Sequence, residues 1–384
     1  MSYARARLWL GISCVGTIVV VSLLMLLFRI PLRLLSTDHS DLGTNIGLLA
    51  GVLFAYAFLS GPFDFFGGYI LPKEYGKSTV CLPVFLRGWL RGVLMHSLAL
   101  MGVALTLLYA ARAGGFPLFL GAFAGINLLL LILQPLLAAL LGGIRYEQSG
   151  TEPAASHLDR SSGLKRPRMQ FAADINPYFT GGIAGLPGLE RSILPERWRE
   201  EFSLEELEIV SLRRTGVVQN GSRTRGILLA VGWNTLGFCL AALLTGSLAS
   251  VAGLVTFSLW FTLWNFLGLL VLPVPSQHGV FGGDAFAMQQ GARRPSLETL
   301  LRKLDRDQDD EYARSQSVET YFHPLPSVER RLAQLDTGQT SPQVGAWQGA
   351  RMAIYLSWAG IGLLSRAVHC NCGRPDVWVF LPSD

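Results

Sequence analysis

The side chains best suited to metal or nucleophile chemistry are present in this sequence, but their spacing organises little of it. The six histidines, His39, His96, His157, His278, His323 and His369, are scattered, and no H-E-x-x-H occurs. That motif would put two imidazoles on one helix face to hold zinc, with a Glu between them to activate water. The five cysteines, Cys14, Cys81, Cys239, Cys370 and Cys372, do not form two pairs. His369-Cys370-Asn371-Cys372 alone lacks the second half of a zinc site, so the thiols read as small packing residues. There is no phosphate-cradling glycine loop, no nucleophile elbow and no internal repeat. Gly142-Gly143, Gly181-Gly182 and Gly282-Gly283 read as turns.

The elements that must carry these residues are mostly membrane spans. The chain has 384 residues, of which 50% are hydrophobic and 15% charged. Soluble domains carry about a quarter charged residues. Mean hydropathy is +0.38. A helix needs about 20 apolar residues to cross the hydrocarbon core with its backbone satisfied internally. Leu8–Phe28, Leu42–Phe63, Gly92–Ala111 and Ala113–Ile144 each supply such a run. Gly226–Gly283 is long enough for two, with a tight turn at Ser247–Ser250. Met352–Ser365, between Arg351 and Arg366, is expected as a seventh span if the arginines snorkel, with an interfacial or half-helix placement as the alternative. The apolar run after Arg5 and Arg7 exceeds a signal-peptide core and is read as a retained anchor.

Charge then orients the chain. Arg5, Arg7, Lys73, Lys77, Arg87, Arg91 and both polar regions fall on one side, against Arg29, Arg33 and Arg112 on the other. The positive-inside rule puts the N-terminus and polar regions in the cytoplasm, as in a bacterial inner membrane. The net charge of +5 suits loops beside anionic lipid. No basic stripe interleaved with aromatics points to nucleic acid.

Polar residues inside spans are costly and invite a functional reading. Asn234 and Asn265 would sit at similar depth in an antiparallel hairpin, where an interhelical hydrogen bond is the plain expectation. Asn127 and Gln134 are similar cases. Asp64 ends the second span in Gly61-Pro-Phe-Asp-Phe-Phe-Gly-Gly68, at the interface or, with His96, in a proton relay. Trp233, Trp260, Trp264 and Trp347 fit belt or packing positions.

The polar regions frame the hairpin. Glu147–Arg168 is rich in Ser, Pro, Gly and charge, and reads as a mobile linker. Pro177–Ile183 and Ser192–Pro195 look like short strands. Ser203-Leu-Glu-Glu206 opens a helix with a capping box, and Leu204, Leu207 and Val210 give it an apolar face. Asp284-Ala-Phe-Ala287, a helix ending Leu300-Leu-Arg-Lys-Leu304, and Phe322-His-Pro-Leu-Pro-Ser327 before Glu329-Arg-Arg-Leu332 follow.

Over residues 175–335 this order resembles the HtpX and CAAX prenyl protease type of membrane zinc metallopeptidase. The resemblance implies a predominantly α-helical polytopic membrane protein of six or seven spans with a small cytoplasmic α+β metallopeptidase-like domain. Its parts would be a four-span region at 1–145, a linker at 146–175, two lobe halves at 176–225 and 276–340, a hairpin at 226–275, and a C-terminal span or interfacial helix with tail at 341–384.

The resemblance puts the family's zinc ligands and base at Arg213, Arg214 and Val217, and its third ligand at Val280. None can ligate a dication, and guanidiniums repel one. Asp284, second to the ligands in the family, is expected to pair with Arg213 or Arg214. His278, Asp284 and His323 could form a residual site, which their spacing does not demand. The leading expectation is a pseudoenzyme without cofactor. It would bind other membrane proteins or polypeptide segments, using a groove edged by Ile183–Leu194. An active zinc metalloendopeptidase with unusual ligands is the alternative, and a transport or lipid-handling protein the second.

Overall fold

The computed structural model describes residues 1–35, 41–147, 167–173, 178–337, 345–380 and Asp384. Among these, five helices are long and apolar enough to cross a membrane. They are α1 (Tyr3–Leu27), α3 (Leu42–Phe65), α5 (Leu82–Gly142), α8 (Ser222–Thr245) and α9 (Val251–Val271). A short α2 (Ile30–Leu34) follows α1, and α3 runs through a π turn into α4 (Leu71–Glu74). The 61 residues of α5 would reach roughly 90 Å if straight. Instead Gly114 (φ −151°, ψ 20°) and Gly115 (φ 61°, ψ −149°) break the helix. Arg91 Nε in the first arm donates to Leu141 O in the second at 3.2 Å, so the arms fold back on each other. The five helices therefore make six traverses. Phe54, Phe58 and Leu243 on them are each more than 70% exposed, as lipid-facing side chains should be. The turn at 246–250 joins α8 to α9, where Ser250 Oγ caps Gly253 N.

Met352–Ser365 does not span. It comprises α14 (Gly349–Leu356), a 3-10 turn over Ser357–Gly360 and irregular chain, nearly all buried. Hydropathy detects an apolar run, but this one packs inside the protein rather than against lipid. Non-helical backbone at such depth survives only where protein groups satisfy it. Tyr56 OH donates to Leu363 O at 2.9 Å and Ser258 Oγ to Ile361 O at 2.6 Å. Arg7 Nη2 donates to His369 O at 2.7 Å, and Trp378 Nε1 to Asn371 O at 2.8 Å.

The polar lobe carries a four-stranded sheet in the order β1 (Arg145–Tyr146), β2 (Arg168–Ala173), β4 (Arg191–Pro195), β3 (Gly182–Ala184). β2 and β4 are parallel, and the outer pairs are antiparallel. β2 falls inside the stretch 146–175 expected as linker, because one short alternation was outweighed by its polar flank. Most of that linker, 148–166, and residues 174–177 lie outside the described residues. Tyr178–Gly181 precedes β3 as irregular chain rather than a strand.

Helices α6 (Trp198–Glu201), α7 (Leu204–Gln219), α10 (Pro273–Gln289), α11 (Arg294–Asp307), α12 (Gln316–Phe322) and α13 (Val328–Asp336) complete the lobe. On α11, Leu297, Leu300, Leu301 and Leu304 recur at helical spacing and are 1% exposed or less. They pack with Trp198, Phe202, Leu207 and Val210 in the lobe's core.

The N-terminus, the loop after α4 and the lobe share one side. Arg5 Nε donates to Glu311 Oε2 at 3.3 Å, and Tyr178 OH to Lys77 O at 3.4 Å.

Candidate functional site

Helix α7 starts as its sequence dictates. Ser203 N donates to Glu206 Oε2 at 2.7 Å, and Glu206 N to Ser203 Oγ at 3.2 Å. Lys303 Nζ adds a bond to Glu206 Oε2 at 2.7 Å. The expected apolar stripe is modified: Leu207 and Val210 are buried, but Leu204 is 71% exposed. From Ile209 to Val217 the helix is buried on every side. It crosses α10 closely, since a Cβ at Gly216 would fall 2.6 Å from Phe286 Cβ. Gly282 and Gly283, expected as a turn, lie buried inside α10 on this face.

At that crossing Asp284 meets two guanidiniums. Arg213 Nε donates to its Oδ1 at 2.7 Å. Arg331, from α13, donates through Nε to Oδ2 and through Nη2 to Oδ1, both at 2.7 Å. All three residues are at most 3% exposed. Burial pushes the Asp284 carboxyl up, but Arg331 and Arg213 outweigh it and hold it below the usual carboxylate range. Burial, then Arg331, lowers the Arg213 pKa. Arg213 Nη1 has no partner among the described residues. Two cations share this carboxylate, and the buried Asp384 carboxylate acts on both from further off.

One turn further along, Val217 and Val280 are 2% and 1% exposed. They join Ile183, Leu325 and Trp347 in a separate apolar cluster. Arg214 points the other way, into the sheet. It donates to Ile193 O at 2.7 Å, Thr180 O at 3.0 Å and Ser192 Oγ at 3.1 Å, and pairs with Asp384.

The residual set is not assembled. His278 is half-buried on α10. His323 faces Arg314, with Asp310 Oδ2 3.7 Å from its Nδ1 and the His369 ring centred 5.1 Å away. Burial, with Arg314 beside it, pushes the His323 pKa well below the usual histidine range. Among the described residues no group of three His, Cys, Asp or Glu could hold a metal ion.

The sheet edge expected as a groove is closed. Arg223 Nη2 donates to Gly185 O at 2.6 Å and to Ile183 O at 3.5 Å, while Arg214 Nη1 reaches Gly182 O at 3.4 Å. Phe380 packs edge-on against Phe179. The backbone acceptors that an added strand would need are taken by the chain itself.

The intramembrane polar residues also find local partners. Asn234 and Asn265 do not bond each other. Asn234 Nδ2 donates to Ala353 O and Asn265 Nδ2 to Phe261 O, both at 2.8 Å. Asn127 Nδ2 donates to Phe123 O at 2.9 Å, and Gln134 Nε2 to Val379 O at 3.2 Å. Asp64 is 1% exposed rather than interfacial. It pairs with Arg366 and accepts from Trp89 Nε1 at 3.0 Å and Gly373 N at 2.9 Å. His96 is packed against Trp358 and Trp378 instead.

Arg331 and Arg366 are the partners that sequence reasoning missed. Arg331 lies in the Glu329-Arg-Arg-Leu332 run already singled out, so its signal was present. Arg366 bounded an apolar run and gave no hint of a partner so far back in the chain.

No family model matches the sequence, and no curated protein matches it. Among solved structures, S. mikatae Ste24p superposes with a TM-score of 0.65 at 12% identity, covering 77% of this chain and 76% of that one. The chain has a Ste24p-like membrane metallopeptidase fold, mostly helical with a small sheet.

Proposed function

We propose that this chain is a catalytically inactive relative of the membrane metallopeptidases, one that acts by binding other membrane proteins as a scaffold or regulatory subunit. The observation that carries the reading is the filling of the α7–α10 crossing. A catalytic zinc needs three N, O or S donors and an open position. Here that crossing offers Val217 and Val280 in an apolar cluster and a carboxylate whose oxygens accept from Arg213 and Arg331. Guanidinium cannot deprotonate to become a ligand. These residues do not fit zinc, so no hydrolytic step follows from them.

The reading places the N-terminus and lobe in the cytoplasm, on the side with most Lys and Arg. Exposed Cys81, in the loop beside the lobe, reports that orientation. A membrane-impermeant maleimide should label it in inverted vesicles and not in intact cells.

Metal analysis of the purified full chain tests the central claim. Zinc well below one atom per chain, with no peptidase activity after zinc addition, is expected. Stoichiometric zinc lost on His278→Ala or His323→Ala would establish the active-peptidase alternative instead. Affinity capture from native membranes should return a membrane protein in stoichiometric amount. Because the β3 edge is closed, its contact should survive substitution of Ile183 by Val.

A further inference from the structure

A cavity of about 600 Å³ lies between α1, α2, α3 and α9. Ile18 and Met25 of α1, Val52 and Leu59 of α3, and Leu254 and Leu259 of α9 represent its wall, which is almost wholly apolar. The Tyr56 and Ser258 hydroxyls in that wall are bonded to Leu363 O and Ile361 O. Such a cavity does not hold water. Gly47 and Gly51 line it one helical turn apart, and a Cβ added at either meets nothing within 4 Å. Both glycines are exposed, so the cavity opens outward along α3, among membrane-spanning helices.

Its border is basic. Helix α1 ends at Leu27, and Arg29 takes a left-handed conformation (φ 52°) that turns the chain into α2. Ile30, Pro31 and Leu34 enter the cavity wall. Arg29, just before them, and Arg33, just before Leu34, are exposed and have no carboxylate partner among the described residues. An apolar chamber with two exposed guanidiniums next in sequence to its wall is complementary to a molecule with a hydrocarbon tail and an anionic head.

We propose that this cavity is a binding site for an anionic phospholipid, one acyl chain filling the space and the phosphate held by Arg29 and Arg33. Guanidinium matches phosphate with paired, charge-assisted hydrogen bonds. The inference does not depend on whether the lobe is catalytic.

Lipid extracted from the detergent-purified full chain, quantified by mass spectrometry, tests it. Wild type should retain about one phospholipid per chain, with phosphatidylglycerol enriched over phosphatidylcholine of the same chain length when both are supplied in mixed micelles. Gly51→Leu, which occupies the cavity without a clash, should cut retention at least about fivefold while the protein stays monodisperse. Gly47→Leu serves if that variant fails to fold. Arg29→Gln with Arg33→Gln should keep a bound lipid but abolish the preference for phosphatidylglycerol. Equal retention of the two lipids by wild type overturns the proposal, as does retention unchanged in both leucine variants.

Discussion

The lobe and the membrane bundle bury the same kind of pair, a carboxylate against a guanidinium, with different arithmetic. In the lobe, Asp284 serves both Arg213 and Arg331, and Arg213 Nη1 is left without a partner. In the bundle, Asp64 meets Arg366 alone and also accepts from Trp89 and the Gly373 amide, while Arg366 Nε and Nη1 have no partner among the described residues either. The lobe site thus sets two cations on Asp284, with Asp384 acting on both from further off, while in the bundle one cation meets one carboxylate beside an open apolar cavity. Burying a pair costs desolvation in both places, and its value depends on whether every charge is answered.

Replacement of Asp284 by Asn should therefore have the largest effect, a loss of about 3–5 kcal/mol, because two buried guanidiniums lose their counter-charge at once. Thermal unfolding in detergent and the yield of folded protein in membranes measure it. Unchanged stability would break the comparison. In the bundle, Arg366→Met alone should cost about 3 kcal/mol, while Arg366→Met with Asp64→Asn should recover most of it. The corresponding lobe double, Asp284→Asn with Arg331→Met, should recover much less, since Arg213 stays buried and charged. Equal recovery in the two regions would mean that the second arginine counts for nothing.

Smaller changes sharpen the same contrast. Gly51→Leu should stabilise lipid-free protein by about 1–2 kcal/mol, because it fills space without displacing atoms. An equivalent insertion at Gly216 in the lobe would clash with Phe286 and destabilise. Ser203→Ala should cost about 1 kcal/mol through loss of the α7 cap, read as a lower unfolding temperature at unchanged lipid content.

The lobe should also respond to pH through Asp305. Burial and the neighbouring Asp310 push its carboxyl up to about 7, against the pull of Arg314 and Arg331. The folded state then holds a proton that the unfolded chain has already released above about pH 4. Stability on this account is greatest at low pH and falls as pH rises through about 7. His323 acts in the opposite sense below about pH 6.5, where the unfolded chain gains a proton that the buried ring refuses. The cleanest window is therefore above that value. Melting temperature should drop by a few degrees from pH 6.5 to 8, and Asp305→Asn should flatten the slope.

Much of this architecture was legible because its signals are local. Six apolar traverses follow from charge-free runs, and the α7 start follows from four residues. Arg213 faces Asp284 in the structure, one of the two pairings that the resemblance implied. The failures share a cause, which is distance along the chain. Met352–Ser365 has the hydropathy of a span, yet its surroundings are Tyr56 and Ser258, which donate to its carbonyls, and Thr262, which accepts from Leu363 N. Asn234 prefers the Ala353 carbonyl to Asn265, because α14 lies between the hairpin and the rest of the bundle. β2 is marked only by pairing with β4, a partner beyond the intervening polar stretch. The open sheet edge failed for the same reason: the arginine that caps it comes from α8.

The irregular segment after α14 sets a schedule for biosynthesis. Arg366 meets Asp64 across 302 positions, so at about 5–20 residues per second roughly 15–60 s separate the two on the ribosome. Throughout that interval an aspartate sits in a nascent helix bundle with its cationic partner still unmade. Asp384, the mate of Arg214, arrives later still. Neither half of the molecule can reach its final form early, and both must wait in the bilayer for the same late stretch of chain.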